Sequence, residues 1–318
     1  MKILFYCNQL NLRGSTVAIR DYARYNQEIL GNESVICYNR DIPCNVDETN
    51  SFEIISSFQK EFEVRTISND NNYDGVCKDI DLAYFMRHGG PEPLPDITSV
   101  AVHAVFQNKN PYGHGKYAFI SEWLSNYCSD GKIPWVPYIV QLPEPTQDLR
   151  DYFGIPKNKI VIGRLGDYWG FGHQMEWART AIIDVLNKTD EIVFLMGNCA
   201  EWYSHPNIIH VPGFQDLQFK SNFINTCDGM VHARYIGESF GLAISEFLYF
   251  NKPVLAWNNG IDLNHINMLQ GTGLLYNDQQ DMQEKILNIK SFNREYKKIV
   301  DKFNPDTVMS QFKSVFLD

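Results

Sequence analysis

The stretch Gly237-Glu238-Ser239-Phe240-Gly241-Leu242-Ala243-Ile244-Ser245-Glu246 continues through Phe247 to Asn251 into Lys252-Pro253-Val254-Leu255-Ala256-Trp257. It reads as a loop, a helix beginning at Ser239 and a buried strand, with Phe240, Ile244, Phe247 and Leu248 forming the helix's apolar stripe. A helix that begins there turns the amides of Ser239, Phe240 and Gly241 outward, with Leu242 next in the same turn, at the positive end of its dipole. That is a ready site for a diphosphate, and Gly241 lets the ligand come close. Glu238 and Glu246 are eight residues apart, about 12 Å along such a helix. Two carboxylates at that separation can accept hydroxyls at either end of a diphosphate, one from a sugar and one from a ribose.

Outward from this stretch, short apolar runs alternate with amphipathic segments, the pattern of parallel sheets covered by helices. Strands are predicted at Lys2 to Tyr6, Ser34 to Tyr38, Phe62 to Ile67, Asp81 to Met86, Ser99 to Val105 and Tyr117 to Ser121. A helix capped by Ser15 or Thr16 and ended by Gly31 joins the first two. The polar, proline-punctuated segment Leu142 to Thr146 is the expected linker. Beyond it the alternation restarts, with strands at Ile160 to Leu165, Glu191 to Met196, Ile208 to Val211, Gly229 to Ala233, Pro253 to Trp257 and Gly273 to Tyr276. Two α/β domains follow, roughly 1 to 143 and 150 to 318.

Composition narrows the function. The chain has 318 residues, 28 basic against 38 acidic side chains and a net charge of -10, which repels nucleic acid and anionic lipid surfaces. Its seven cysteines are scattered without a C-x-x-C pair, so neither a disulfide framework nor a zinc site is expected, and a reducing, cytoplasmic setting is. The N-terminal run is too short for a signal peptide, and no apolar stretch approaches the roughly 20 residues of a membrane span.

With its paired Glu residues, the intervening Phe-Gly and the Lys252-Pro253-Val254 strand, the chain resembles the retaining GT-B glycosyltransferases. The hallmark of that family is Glu, seven residues, Glu. The resemblance implies two Rossmann-like domains facing across a cleft, a nucleotide-diphosphate sugar of the UDP or GDP type as donor, no cofactor and no metal. It assigns Glu238 to the donor sugar and Glu246 to the nucleotide ribose. Arg164, closing the strand Ile160-Val161-Ile162-Gly163-Arg164, falls to the donor phosphates, for which a guanidinium fork is suited. The family's usual Lys about five residues later is missing from Gly166-Asp167-Tyr168-Trp169-Gly170-Phe171-Gly172-His173. Arg234 is the substitute considered, with a plain surface arginine as the other reading.

Phe214, in Pro212-Gly213-Phe214, is assigned to packing on the base, and Gly14, in the loop after the first strand, to the leaving phosphate or the acceptor. His103, at the end of a buried strand, is read as a catalytic residue beside the donor sugar or as a satisfied core histidine. His88 and His114, in glycine loops, are lesser candidates for the same cleft. The resemblance also brings the last helix, about 305 to 318, back onto the first domain.

The expected activity is transfer of a sugar, with retention and without metal, to a glycan or other hydroxyl acceptor, small molecules included. Competing readings are a GT-B epimerase or phosphorylase, or a nucleotide-sugar-binding protein without turnover. No Gly-x-Gly-x-x-Gly follows the first strand and there is no Walker-type loop, so dinucleotide oxidoreductases, nucleotide hydrolases and other hydrolases are set aside.

Overall fold

Ile3-Leu4-Phe5-Tyr6 is apolar at every position, and a strand without alternation needs cover on both faces. In the computed structural model, which describes residues 1–44, 50–88, 90–166 and 171–318, this run is β1, Lys2–Tyr6, buried from Ile3 onward. Helix α1, Gly14–Glu28, covers it with Ala18, Ile19, Tyr22 and Ala23. The chain continues through β2 (Glu33–Asn39), α2 (Phe52–Gln59), β3 (Glu63–Ile67), α3 (Tyr73–Cys77), β4 (Leu82–Arg87), β5 (Ser99–Ala104), β6 (Lys116–Phe119) and α4 (Glu122–Ser129). These strands form one parallel sheet in the order β3-β2-β1-β4-β5-β6.

Residues 136–149 have no regular structure. A second alternation follows: β7 (Ile160–Arg164), α5 (Glu176–Lys188), β8 (Ile192–Gly197), β9 (Ile208–Val211), α6 (Leu217–Thr226) and β10 (Gly229–His232). After it come β11 (Gly237–Glu238), α7 (Leu242–Tyr249), β12 (Val254–Trp257), β13 (Asp262–Leu263), α8 (Asn264–Leu269), β14 (Leu275–Tyr276), α9 (Gln279–Leu287), α10 (Lys297–Val300) and α11 (Pro305–Phe312). The second sheet is parallel in the order β14-β12-β10-β7-β8-β9, and β11 and β13 form a separate two-residue parallel pair. Two Rossmann-like α/β units result, the fold class that the alternation of runs implied.

The compact units are Met1–Ile139 with Phe303–Asp318, and Val140–Lys302. The last segment belongs to the first unit because its aromatic stripe is buried there. Phe312 packs on Phe5, Tyr22 and Tyr84 with ring centroids 6.2, 5.3 and 5.3 Å away, and Phe316 lies 5.4 Å from Tyr84. Asn304 caps α11 through the amide of Thr307, and Pro305 sits in its first turn, where a missing N–H costs nothing.

Local differences from the sequence reading have identifiable causes. Helix α1 begins at Gly14, with Arg13 extended before it and no side-chain cap. The Thr16 hydroxyl is turned back instead to accept from the Asn11 amide at 3.2 Å, which fixes the preceding loop. At the other end α1 stops at Glu28, and the amide of Gly31 (φ 67°) bonds back to Gln27 O.

Candidate donor site

In each sheet the connections leave in opposite directions from one pair of neighbouring strands, β1 and β4 in the first unit and β7 and β10 in the second. Ligands of open α/β sheets bind outside the C-terminal ends of such strands, where the diverging loops leave a crevice. In the second unit those ends are Arg164 and His232.

Arg164 is buried, 5% exposed. Its Nη1 donates to Asn198 O at 3.0 Å and its guanidinium carbon lies 5.7 Å from the Phe171 ring centroid. The fork is thereby held at the strand end.

Past β10, the helix expected from Ser239 does not begin until Leu242. Gly241 is its N-cap at φ 94°, a left-handed conformation that interrupts any right-handed run through Ser239 and Phe240. Glu238 lies in β11, paired with Leu263 of β13. The helical estimate of 12 Å between the two glutamates therefore does not apply. The amides without helical carbonyls are those of Leu242, Ala243 and Ile244, rather than those of Ser239 and Phe240. The Phe240 side chain is buried in the core, and its carbonyl accepts from Asn264 Nδ2 at 2.7 Å. Gly237 (φ 69°) is required by the same pairing, since a Cβ there would lie 2.0 Å from Asp262 O.

Glu238 is gripped from both sides. Its Oε1 lies 2.8 Å from His232 Nε2 and its Oε2 3.3 Å from Arg234 Nη1, which also donates to Gly237 O at 3.0 Å. Burial pushes this carboxyl up, but Arg234 and then His232 outweigh it and bring its pKa down to about 2. It is an ionised acceptor with 20% of its side chain exposed. Arg234, considered as a phosphate ligand, spends one face on this carboxylate.

Glu246, one turn into α7, accepts from Lys220 Nζ of α6 at 2.8 Å, and its side chain is 6% exposed. Phe214, half-buried in the loop after β9, packs edge-on against Phe219 at 4.9 Å and tilted on Phe223 at 5.4 Å. The second unit thus brings Arg164, Phe214, Arg234, Glu238 and Glu246 to the C-terminal side of its sheet. Residues 167–170, which include the position of the family's usual Lys, lie outside the described residues.

In the first unit, Gly14 is exposed at the start of α1. His103 requires correction. It is 0% exposed, with Nδ1 2.5 Å from the Tyr84 hydroxyl, Nε2 3.2 Å from Phe119 O, and its ring 5.3 Å from Phe316. Both nitrogens are occupied inside the core, and burial drives its pKa down to about 4. A strand end covered by an aromatic helix offers no face to a sugar. His88 is exposed, with its ring 5.3 Å from Phe106. His114 precedes β6 and so lies at the N-terminal edge of the sheet, away from the ligand edge.

Two further patterns in the sequence resolve in the structure. Contrary to the expectation that no such pattern is present, residues 237–241 spell Gly-x-Ser-x-Gly, the pattern of a nucleophile elbow, so the sequence alone does not set hydrolases aside. An elbow serine sits on a sharp turn between strand and helix with a histidine bonded to it. Here Gly241 separates Ser239 from α7, and the nearby histidines direct Nε2 to Glu238 and to Trp257 O. Asp79-Ile80-Asp81 is likewise an Asp-x-Asp triplet, so the absence of that motif does not support the expectation of no metal. Its Asp79 pairs with Arg65 and Lys2, and Asp81 accepts from the Lys2 amide at 2.7 Å, before β4 begins. Among the described residues no group of three or more His, Cys, Asp or Glu is placed to hold a metal, and no helix is long and apolar enough to cross a membrane.

No protein-family model matches the chain, and no curated protein matches it in sequence. Solved structures do match. Anabaena HepE in complex with UDP-glucose gives a TM-score of 0.73 at 12% identity, over 99% of this chain and 98% of that one. WaaG, a glycosyltransferase involved in lipopolysaccharide biosynthesis, gives 0.65 at 11% identity over 98% of each chain. A putative UDP-N-acetylglucosamine 2-epimerase from Listeria monocytogenes gives 0.62 at 11%, over 98% and 96%. The likeness at these identities is one of fold, and the two parallel six-stranded sheets are those of GT-B structures.

Proposed function

We propose that the chain is a retaining glycosyltransferase that moves a sugar from a nucleotide-diphosphate donor, held by its second unit, to a hydroxyl acceptor. The observation that supports the reading is the anchoring of Glu238 on His232, at the end of β10 and beside β7, the strand that ends in Arg164, with α7 and its Glu246 next in the chain. A cation and free amides suit a diphosphate. Carboxylates suit hydroxyls, Glu238 those of the sugar and Glu246 those of the ribose.

Catalysis then rests on position and charge. Arg164 and the amides of Leu242 and Ala243 take up the negative charge that develops on the diphosphate as its bond to the anomeric carbon breaks. Glu238 fixes the sugar so that the acceptor oxygen forms its bond on the face the phosphate leaves. The acceptor's proton passes to the departing phosphate oxygen, and no side chain forms a covalent intermediate. HepE, with its UDP-glucose, and WaaG support the transferase class by fold.

The fold likeness to the Listeria epimerase sustains a second reading, action on the sugar of the same kind of donor without transfer. Turnover separates the two. Wild type and Glu238→Gln are incubated with UDP- and GDP-sugars, with and without simple sugar acceptors, and products are followed by NMR. The transferase reading expects nucleoside diphosphate release with a retained anomeric linkage, reduced about ten- to a hundredfold in Glu238→Gln, the worth of a charge-assisted hydrogen bond. A changed sugar stereocentre without a new linkage supports the epimerase. A covalent sugar adduct on the protein refutes the mechanism.

A further inference from the structure

We infer that His232 is the positioning residue of the donor-sugar subsite, setting the orientation in which Glu238 meets the sugar. This deepens the transferase reading and rests on it. His232 ends β10 and is 7% exposed, its backbone carbonyl held by the Tyr276 hydroxyl, which donates to it at 2.7 Å. Its Nε2 faces Glu238 Oε1 at 2.8 Å, so the ring hydrogen there is donated to the carboxylate. Its Nδ1 is buried with no hydrogen-bond partner among the described residues. The carboxylate is therefore the ring's only hydrogen-bond partner among the described residues, with the His265 ring tilted against it at 5.9 Å.

Arg234 holds the other oxygen, Oε2. An ionised carboxylate has about four acceptor sites, and two donors fixed on opposite oxygens leave one set, in a defined plane, for hydroxyls arriving from solvent. Arg234 is the looser of the two clamps, at 3.3 Å and 26% exposed, against 2.8 Å and 8% for His232. His232 is thus the clamp that fixes the plane. It touches no substrate in this scheme. Removing it lets Glu238 swing about Arg234, which costs affinity for the sugar and leaves the nucleotide untouched.

The test separates those two parts of the donor. Isothermal titration measures UDP, GDP and CDP and their glucose conjugates against wild type, His232→Leu and His232→Gln. Gln presents an amide N–H at a reach like that of Nε2. The inference expects His232→Leu to weaken the glucose conjugate about tenfold while binding the free nucleotide within about twofold of wild type, and His232→Gln to restore most of the loss. Equal losses for conjugate and nucleotide, or a Gln variant no better than Leu, overturn it. If His232→Leu does not fold, His232→Asn, too short to reach, replaces it with the same expectations. A wild-type chain that binds none of the six overturns the donor reading itself, and this inference with it.

Discussion

Lys220 Nζ stands 2.8 Å from Glu246 Oε1, with 12% of the lysine side chain and 6% of the glutamate exposed, joining α6 to α7 across 26 residues of sequence. A buried pair of this kind costs more to break than it contributes whole, because removing one partner strands the other charge. Lys220→Met should lower unfolding stability by roughly 3 kcal/mol, and Lys220→Met with Glu246→Leu should recover most of it. Denaturant titration of the single and double variants measures both. Equal stability of the single variant and wild type would mean that the pair is solvated and structurally idle.

Arg164→Ala should weaken binding of the preferred nucleoside diphosphate by roughly 1.5 to 3 kcal/mol, the range for hydrogen bonds to charged groups. The measurement is the dissociation constant by calorimetry. An unchanged value would remove Arg164 from the phosphate site and leave it as a strand-end residue holding Asn198.

Gly237→Ala and Gly241→Ala separate strain from clash. Both positions have positive φ, but a Cβ at Gly241 would meet the flexible end of Met268 at 3.0 Å, whereas at Gly237 it would strike the Asp262 carbonyl at 2.0 Å. Gly241→Ala should cost about 1 to 2 kcal/mol, and Gly237→Ala clearly more, because β11 and β13 must part. Comparable losses by chemical denaturation would contradict the β11–β13 geometry.

Acid should act through histidines before it acts through carboxylates. Burial holds His103 and His265 down to about 4, from an ordinary 6.5. Below 6.5 the unfolded chain binds protons at these sites while the folded chain does not. Their contribution is therefore complete above about pH 6.5 and is lost as pH falls toward 4. Each site should cost roughly 2 kcal/mol between pH 7 and pH 5. Glu238, depressed from 4.5 to about 2, adds its loss only below that window. Urea midpoints at pH 7 and pH 5 should differ, and His103→Gln should narrow the difference. A pH-independent midpoint in wild type would contradict the buried, neutral histidines.

The strands were legible because parallel strands buried on both faces are continuous apolar runs, and Ile208–Val211 carries the same bounds in sequence and structure. What failed was information held by distant residues. The start of α7 depends on Gly241's left-handed turn and on a pairing between Glu238 and Leu263, 25 positions downstream, so the local helical stripe pointed too early. His103 reads alike as a cleft or a core residue until Phe316, more than 200 positions away, is seen to cover it. Short helices such as α3 and α8 carry too few residues for a periodic signal. His232 was within reach, six residues before Glu238 at the end of an apolar strand. Lys220 was not, since nothing in its helix marks a partner on α7.

We propose that the second unit binds a nucleoside diphosphate across Arg164 and α7, with Glu246 on the ribose. The most direct test of this is a thermal-shift titration of wild type and Glu246→Ala with UDP, GDP and CDP. One of the three should raise the melting temperature of the wild-type chain in a saturable manner, and Glu246→Ala should need at least about tenfold more of it. A wild-type chain that none of them stabilises, or a variant that binds the same nucleotide equally well, would contradict it.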